Sequence, residues 1–285
     1  MRSDEEMLKQ LTDFAVQDER IRMVTLEGSR TNSRIARDAF QDFDVSYFVT
    51  EMHSFKADDA WLDGFGNRLM MQKPEDMELF PPELGNWFSY IILFADGHKL
   101  DLTLIPIEET EAYFADSDGL VELLVDKDGR APQEVVAEDK QYWIQKPTPR
   151  KFDDCCNEFW MVSTYVVKGL ARREILFAID HLNEIARPNL LRMMSWHIGS
   201  ERGYDFSVGK NYKFIDRYLP EEDWDLLLST YAENSYPNMW ESLFECQALF
   251  RKYARSVANS MNYAYPDYDA AITGYTEKIY RSLNP

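Results

Sequence analysis

The chain has 285 residues, of which 50 are Asp or Glu and 31 are Lys or Arg, giving a formal net charge of -19. This length fits two domains better than one core, and 45% hydrophobic with 28% charged residues indicates a globular protein rather than a disordered one. A strongly negative field repels phosphate backbones. The composition therefore argues against a nucleic-acid partner and favours cationic ones.

The cysteines and the first residues of the chain indicate the compartment in which the protein resides. Of the three cysteines, Cys155 and Cys156 are adjacent, which is a poor disulfide framework and favours a reducing compartment. The chain starts with acidic residues where a signal peptide is basic and then apolar. No apolar run approaches the roughly 18 residues of a membrane span. We expect a soluble, cytoplasmic protein with no membrane partner.

The first half of the chain has the pattern of a mixed α/β layer. Ser3 and Glu6 have capping-box spacing, which predicts a helix that continues to about Gln17. Asp96-Gly97 favours a tight hairpin turn between two strands. Residue type and alternation predict strands over 21–26, 44–50, 88–94 and 99–105, with a short helix over 59–65.

The second half has the pattern of an all-α domain. Pro147 and Pro149 indicate a linker, so we place the boundary between residues 1–146 and 147–285. Beyond it strand signals nearly vanish. Helical periodicity covers 152–170, 174–200, 224–231 and 236–261, and Pro188 is expected to kink or split the second of these helices. The predicted fold class is α+β with a mixed sheet, followed by a helical domain.

Three short features carry candidate chemistry. The Gly28-Ser29 turn after a strand lets the backbone approach a phosphate closely. Asp42 and Asp44 alternate with Phe43 and so lie on one side of a strand, where carboxylates suit Mg²⁺ bound to a nucleotide.

Asp101 is a carboxylate in an otherwise apolar strand, where it must be paired, solvated or metal-bound. Alone, each of these features is more commonly a simple turn, a solvated strand end or a salt bridge. Their order and spacing together favour a shared metal site that acts at phosphorus.

That order resembles the nucleotidyltransferase pattern of polymerase-β-like enzymes. Longer stretches resemble the aminoglycoside 6-adenylyltransferase (streptomycin 6-adenylyltransferase) family, and the likeness covers nearly the whole chain. Glu27 departs from the broader superfamily, in which an apolar residue usually precedes the glycine, but the more specific resemblance includes it. The stretches that carry the resemblance are 24–32, 40–44, 71–80, 152–160, 165–170 and 209–214.

The resemblance implies Mg²⁺-dependent transfer of AMP from ATP to the 6-hydroxyl of streptomycin, with release of pyrophosphate and antibiotic resistance as the result. Gly28 and Ser29 would hold the triphosphate, and Asp42 and Asp44 would bind Mg²⁺. Asp101 would be a third metal ligand or the base toward the attacking hydroxyl. Glu78, in the acidic segment 75–78, is a rival base. The same segment is also typical of a solvated loop.

Further residues are expected to complete the site. Lys168, Lys210 and Arg30 are candidates to reach the triphosphate, the alternative being ordinary surface side chains. Asp154 and Glu158 are four apart in one predicted helix and share a face, so they would pair with guanidinium groups of the drug or simply face solvent. The four histidines have no metal-ligand spacing, which disfavours zinc, and no P-loop or dinucleotide-binding glycine motif is present.

Two alternatives remain at this point. The same fold acts on other acceptors, such as a lincosamide, a protein hydroxyl or an RNA end, although the negative charge disfavours RNA. A catalytically inactive nucleotide-binding module is the non-enzymatic alternative. The presence of Asp42, Asp44 and Asp101 together counts against it, because such modules typically lack part of the carboxylate set.

Overall fold

The computed structural model describes residues 2–283. The chain divides into two compact units, Met1–Gln141 and Tyr142–Pro285. The boundary predicted from the two prolines lies a few residues further along, at 146/147. Within residues 2–283, no helix is both long enough and apolar enough to cross a membrane.

The first unit is built on a six-stranded mixed sheet with the strand order β3-β4-β5-β2-β1-β6. Strands β2 and β5 are parallel, and the other neighbouring pairs are antiparallel. The strands are β1 (Ile21–Glu27), β2 (Phe43–Val49), β3 (Arg68–Gln72), β4 (Phe88–Phe94), β5 (Lys99–Pro106) and β6 (Val121–Asp126). The helices are α1 (Asp4–Gln17), α2 (His53–Ala57), the 3₁₀ helix Asp59–Phe65 and α3 (Thr110–Asp116).

One face of this sheet is apolar and packs against α1. The predicted capping box starts that helix: the Ser3 hydroxyl accepts from the Glu6 amide at 3.1 Å, and the Ser3 amide donates to the Glu6 carboxylate at 2.7 Å. Behind it Met7 and Leu11 are fully buried in the same cluster as the apolar strand residues. The predicted hairpin β4–β5 is confirmed. Successive side chains of a strand point to opposite faces of the sheet. Every second residue of β1, β2 and β5 therefore points away from the apolar face.

Among the described residues of the second unit, the regular structure is helical, as the sequence predicts. Phe159 and Phe250 stack at its centre with ring centroids 3.8 Å apart. The predicted split near Pro188 is confirmed: a π-helical turn, Leu182–Ala186, joins α5 to α6, because proline has no N–H for the preceding turn. The helices are α4 (Pro149–Ala171), α5 (Ile175–His181), α6 (Arg187–Arg202), α7 (Glu221–Ser229), α8 (Tyr236–Met261) and α9 (Tyr268–Leu283).

The C-terminal helix α9 is held by a buried carboxylate that the sequence analysis missed. The Asp269 side chain is only 4% exposed and accepts from Arg251 Nε at 2.7 Å and from the Tyr265 hydroxyl at 3.0 Å. Burial alone would raise the pKa of Asp269, but the hydrogen bonds and charge of Arg251 lower it below its ordinary value. The ionised carboxylate therefore contributes to the stability of this unit.

Asp269→Asn is expected to lower the free energy of unfolding by about 3 kcal/mol at neutral pH, since it leaves a partly buried arginine without its counter-ion. A lowered folded-state pKa contributes stability that is present above the unfolded pKa and is lost as the pH falls through the folded pKa. The difference between variant and wild type should therefore shrink below about pH 4. Urea unfolding at neutral and acid pH measures it, with exposed Asp267→Asn as the control; a pH-independent difference would contradict the assignment.

Candidate active site

Three carboxylates lie in one row across three adjacent strands of the first unit. Glu27 ends β1 and is paired with Asp44 of β2, which is in turn paired with Asp101 of β5. Neighbouring strands lie about 4.8 Å apart, so the pairing brings residues that are distant in sequence side by side. Asp42 directly precedes β2 and lies two residues from Asp44. The structure thus brings together the three aspartates predicted as catalytic.

Lys99, which the sequence analysis missed, lies among these carboxylates. Its ammonium donates to Asp42 Oδ2 at 2.9 Å and to the two oxygens of Asp101 at 2.6 and 2.8 Å. Burial alone would lower the pKa of Lys99, but the bonds to Asp101 and Asp42 raise it. The sequence does contain a signal for this contact, because Lys99 and Asp101 are two residues apart in a predicted strand and therefore share a face.

The Asp44 carboxylate lies among like charges. Burial, together with the negative charges of Asp101, Glu27 and Asp42, raises the pKa of Asp44 to about 6, although Lys99 offsets part of the shift. The carboxylate row therefore carries more negative charge than Lys99 neutralises.

Glu27, which departs from the broader superfamily pattern, is part of the carboxylate row. Its Oε1 accepts from the Thr25 hydroxyl and from the Tyr113 hydroxyl, both at 2.6 Å. Burial raises the pKa of Glu27, and these hydrogen bonds offset only part of that shift. The residue that departs from the wider pattern is thus fixed by two hydroxyl donors beside Asp44.

Gly28 is required by space and by backbone conformation. Its φ is +69°, a left-handed value that side chains rarely adopt, and a Cβ there would lie 2.4 Å from Asp44 Oδ2. The Gly28 amide donates to the Leu120 carbonyl at 2.9 Å. It is therefore already engaged, and the glycine's contribution is to leave room for Asp44. Ser29 lies half-buried in the same turn, and its carbonyl accepts from Gln41 Nε2 at 3.3 Å.

The surroundings of Arg30 do not support its predicted contact with the triphosphate. It is 3% exposed, and its guanidinium donates to the carbonyls of Asp42 and Gln41 and to the Asp4 carboxylate. Its Cζ also lies 3.6 Å from the ring centroid of Phe43. These contacts fix the backbone that carries Asp42, so Arg30 is a positioning residue in this structure. Sequence alone does not show whether an arginine is buried.

The donor chemistry of the row fits a hard divalent cation. Carboxylate oxygens are the ligands Mg²⁺ prefers, and the ammonium of Lys99 already marks a position at which Asp42 and Asp101 share one cation. Across residues 2–283, no three His, Cys, Asp or Glu side chains converge closely enough, as they stand, to hold a metal ion. Asp42, Asp44 and Asp101 can therefore form a full ligand set only after side-chain rearrangement.

Three further predicted residues, Glu78, Lys168 and Lys210, are exposed. Glu78 is exposed in the loop between β3 and β4. Lys168 is exposed on α4, with its ammonium 4.9 Å from the ring centroid of Tyr165. Lys210 is exposed and follows Gly209 at the start of a short 3₁₀ turn. Their proposed contacts with triphosphate or substrate stay predictions.

Asp154 and Glu158 line a cavity of about 640 Å³ within the helical unit. A third carboxylate, Glu184 from the π-helical turn, lines the same cavity, as does Trp196. Asp154 also pairs with Arg150 at 3.0 Å. The shared face predicted for Asp154 and Glu158 therefore lines a cavity with three carboxylates and two cationic side chains, Lys151 and Arg192. Glu184 was not predicted because it comes from another helical segment.

The mixed sheet, the glycine turn and the carboxylate row define a nucleotidyltransferase. The chain matches the sequence model of the streptomycin adenylyltransferase family over residues 1–279, and it belongs to that family. It is 68% identical to an aminoglycoside 6-adenylyltransferase from Bacillus subtilis (99% of this chain, 100% of the relative) and 58% identical to one from Campylobacter jejuni (96% and 95%). A solved structure of an aminoglycoside 6-adenyltransferase from Bacillus subtilis is 64% identical, with a TM-score of 0.49 and coverage of 98% and 99%.

Proposed function

We propose that this enzyme transfers AMP from ATP to the 6-hydroxyl of streptomycin, releases pyrophosphate and thereby confers resistance to the antibiotic in the cytoplasm. The observation that carries the proposal is the register of Asp44 and Asp101, with Asp42 beside them, next to the Gly28 turn. Membership of the streptomycin adenylyltransferase family and the names of relatives up to 68% identical support the acceptor.

Asp42, Asp44 and Asp101 would hold Mg²⁺. When bound, the ion would neutralise phosphate charge and polarise the α-phosphate. Gly28 keeps space open for the Asp44 carboxylate, and Arg30 holds the backbone of Asp42 in place. Most of the rate enhancement would then come from positioning and charge neutralisation, as in other phosphoryl-type transfers.

We assign the base role to Asp101 rather than to Glu78. Asp101 is in register with Asp44, whereas Glu78 is exposed in a loop. The drug hydroxyl oxygen forms a bond to the α-phosphorus while the bond to the pyrophosphate oxygen breaks. The hydroxyl proton passes to the Asp101 carboxylate oxygen that the ion would leave free.

The cavity of the helical unit is proposed to bind the guanidinium groups of the drug, because its three carboxylates outnumber the two cationic side chains of the lining, Lys151 and Arg192. Asp154, Glu158 and Glu184 offer carboxylates, which pair with guanidinium groups through short charge-assisted hydrogen bonds. The indole of Trp196 lines the same cavity and offers a face for a cation. The net charge of -19 adds a long-range field that would speed the encounter with a polycation.

Glu158→Gln is expected to raise KM for streptomycin roughly tenfold to a hundredfold, because it removes a charged partner worth about 1.5–3 kcal/mol. KM for ATP and kcat should change little, as expected for a group that binds substrate and transition state equally. Steady-state kinetics measure all three values. Glu241→Gln, an exposed glutamate on α8 outside this cavity, is the matched control. An unchanged KM for streptomycin would remove Glu158 from the binding site.

The acceptor is decided by a screen with ATP labelled at the α-phosphate. Streptomycin, a deoxystreptamine aminoglycoside and a lincosamide are each incubated with the enzyme and Mg²⁺, and the label on each acceptor is counted. We expect labelling of streptomycin. Labelling of the lincosamide instead would support a different small alcohol, and ATP binding without transfer to any acceptor would support an inactive module.

A further inference from the structure

The ammonium of Lys99 lies between two of the three proposed metal ligands, Asp42 and Asp101. It is 2.9 Å from an oxygen of Asp42 and 2.6 and 2.8 Å from the two oxygens of Asp101. A divalent ion bound by these aspartates would need the same oxygens. Because an ammonium and a metal ion of like charge repel one another at this distance, the two cations compete for one position.

Lys99 also explains how the metal-free row is held together. Asp42, Asp44 and Asp101 would otherwise lie side by side without a counter-ion, and carboxylates at strand spacing repel each other. The Lys99 side chain is 34% exposed, as is that of Asp101, and that of Asp42 is 41% exposed. The lysine is therefore open enough to solvent to leave the carboxylates without unfolding the strand that carries it.

We propose that Lys99 is a built-in counter-ion, which holds Asp42 and Asp101 together in the metal-free enzyme and weakens binding of a divalent cation until it is displaced. This inference rests on the proposed function for the position of the metal. It adds a positioning role for a lysine on β5, which the reaction itself does not require. Once displaced, the ammonium is available to a second anion, and the phosphates of the nucleotide are such anions.

The test is a titration with Mn²⁺ alone, in which free Mn²⁺ is measured by electron paramagnetic resonance. Lys99→Met is expected to bind Mn²⁺ at least about tenfold more tightly than wild type, because a competing positive charge is gone. Its melting temperature without metal should fall, and Mn²⁺ should raise it by more than in wild type. Lys99→Arg, which keeps the charge, should remain near wild type in affinity.

Lys73→Met is the matched control, because Lys73 also pairs with an aspartate, Asp59, at 2.5 Å but lies outside the row. It should leave Mn²⁺ affinity unchanged. Adding Asp101→Asn to Lys99→Met should remove the gain in affinity, which locates the ion at the row. If Lys99→Met fails to fold, Lys99→Gln takes its place with the same expected result.

Unchanged or weaker Mn²⁺ binding in the uncharged Lys99 variants would overturn the inference and leave Lys99 as an ordinary ion-pair partner. The titration needs neither nucleotide nor drug. Tighter Mn²⁺ binding together with no adenylylation of streptomycin would therefore count against the acceptor and not against the role of Lys99. Normal adenylylation with unchanged Mn²⁺ affinity would count against Lys99 alone.

Discussion

Replacing Asp44 with Asn is expected to lower AMP transfer at least about a thousandfold while leaving the fold intact. Asp44 lies in the middle of the row, between Glu27 and Asp101. The substitution keeps the shape of the side chain but removes a negative charge that binding of the metal would need. The loss should therefore appear in kcat.

A measurement of the stability of Asp44→Asn distinguishes this loss of activity from misfolding. Burial and three neighbouring negative charges raise the pKa of Asp44 to about 6, so its ionised form is disfavoured in the folded protein. Removing that charge should leave the metal-free enzyme as stable as wild type, or more stable, at pH values above about 6. Thermal melts and single-turnover transfer measure both effects, with exposed Asp116→Asn as a control. Retained turnover in both Asp44→Asn and Asp42→Asn would remove the row from the reaction.

Gly28→Ala has the second largest expected effect. The alanine Cβ would lie 2.4 Å from Asp44 Oδ2, and the backbone has a φ of +69°. Something must move, and a displacement of about 1 Å at a reacting centre costs roughly a hundredfold in rate. Holding an alanine in this left-handed backbone conformation also costs roughly 1–3 kcal/mol of stability.

Gly129→Ala separates the two causes. Gly129 has nearly the same φ, +65°, but a Cβ there meets nothing within 4 Å. Both variants should lose stability in urea unfolding because of the strained backbone, with the larger loss for Gly28→Ala because of the overlap with Asp44, and only Gly28→Ala should lose activity. Equal losses of activity would mean that the contact with Asp44 is unimportant.

Much of the first unit follows from local sequence signals. The capping box at Ser3, the hairpin turn at Asp96-Gly97 and the alternation of Asp42-Phe43-Asp44 each depend on neighbours a few residues apart, and each appears in the structure. Strands β3 and β6 were missed. Arg-Leu-Met-Met-Gln in β3 has no β-branched or aromatic residue, so it has little strand propensity by itself and depends on pairing with β4.

The site was only partly predictable because its contacts are long-range. The three aspartates were identified from their order, but their neighbour Lys99 reaches Asp42 across 57 positions in sequence. Burial also decides roles that residue type leaves open. Arg30 was expected at the phosphates, yet its guanidinium is enclosed by the backbone it supports. Glu184, from the π-helical turn, lines the same cavity as Asp154 and Glu158, which are distant from it in sequence.

Mass spectrometry of the drug itself tests the central claim most directly. Streptomycin is incubated with Mg²⁺, ATP and enzyme, and the product mass is compared with that of the starting drug, alongside a reaction with Asp44→Asn. We expect wild type to add the mass of one AMP residue, with one pyrophosphate released per product, and Asp44→Asn to add none. Unmodified streptomycin with wild type, or equal modification by Asp44→Asn, would contradict the account.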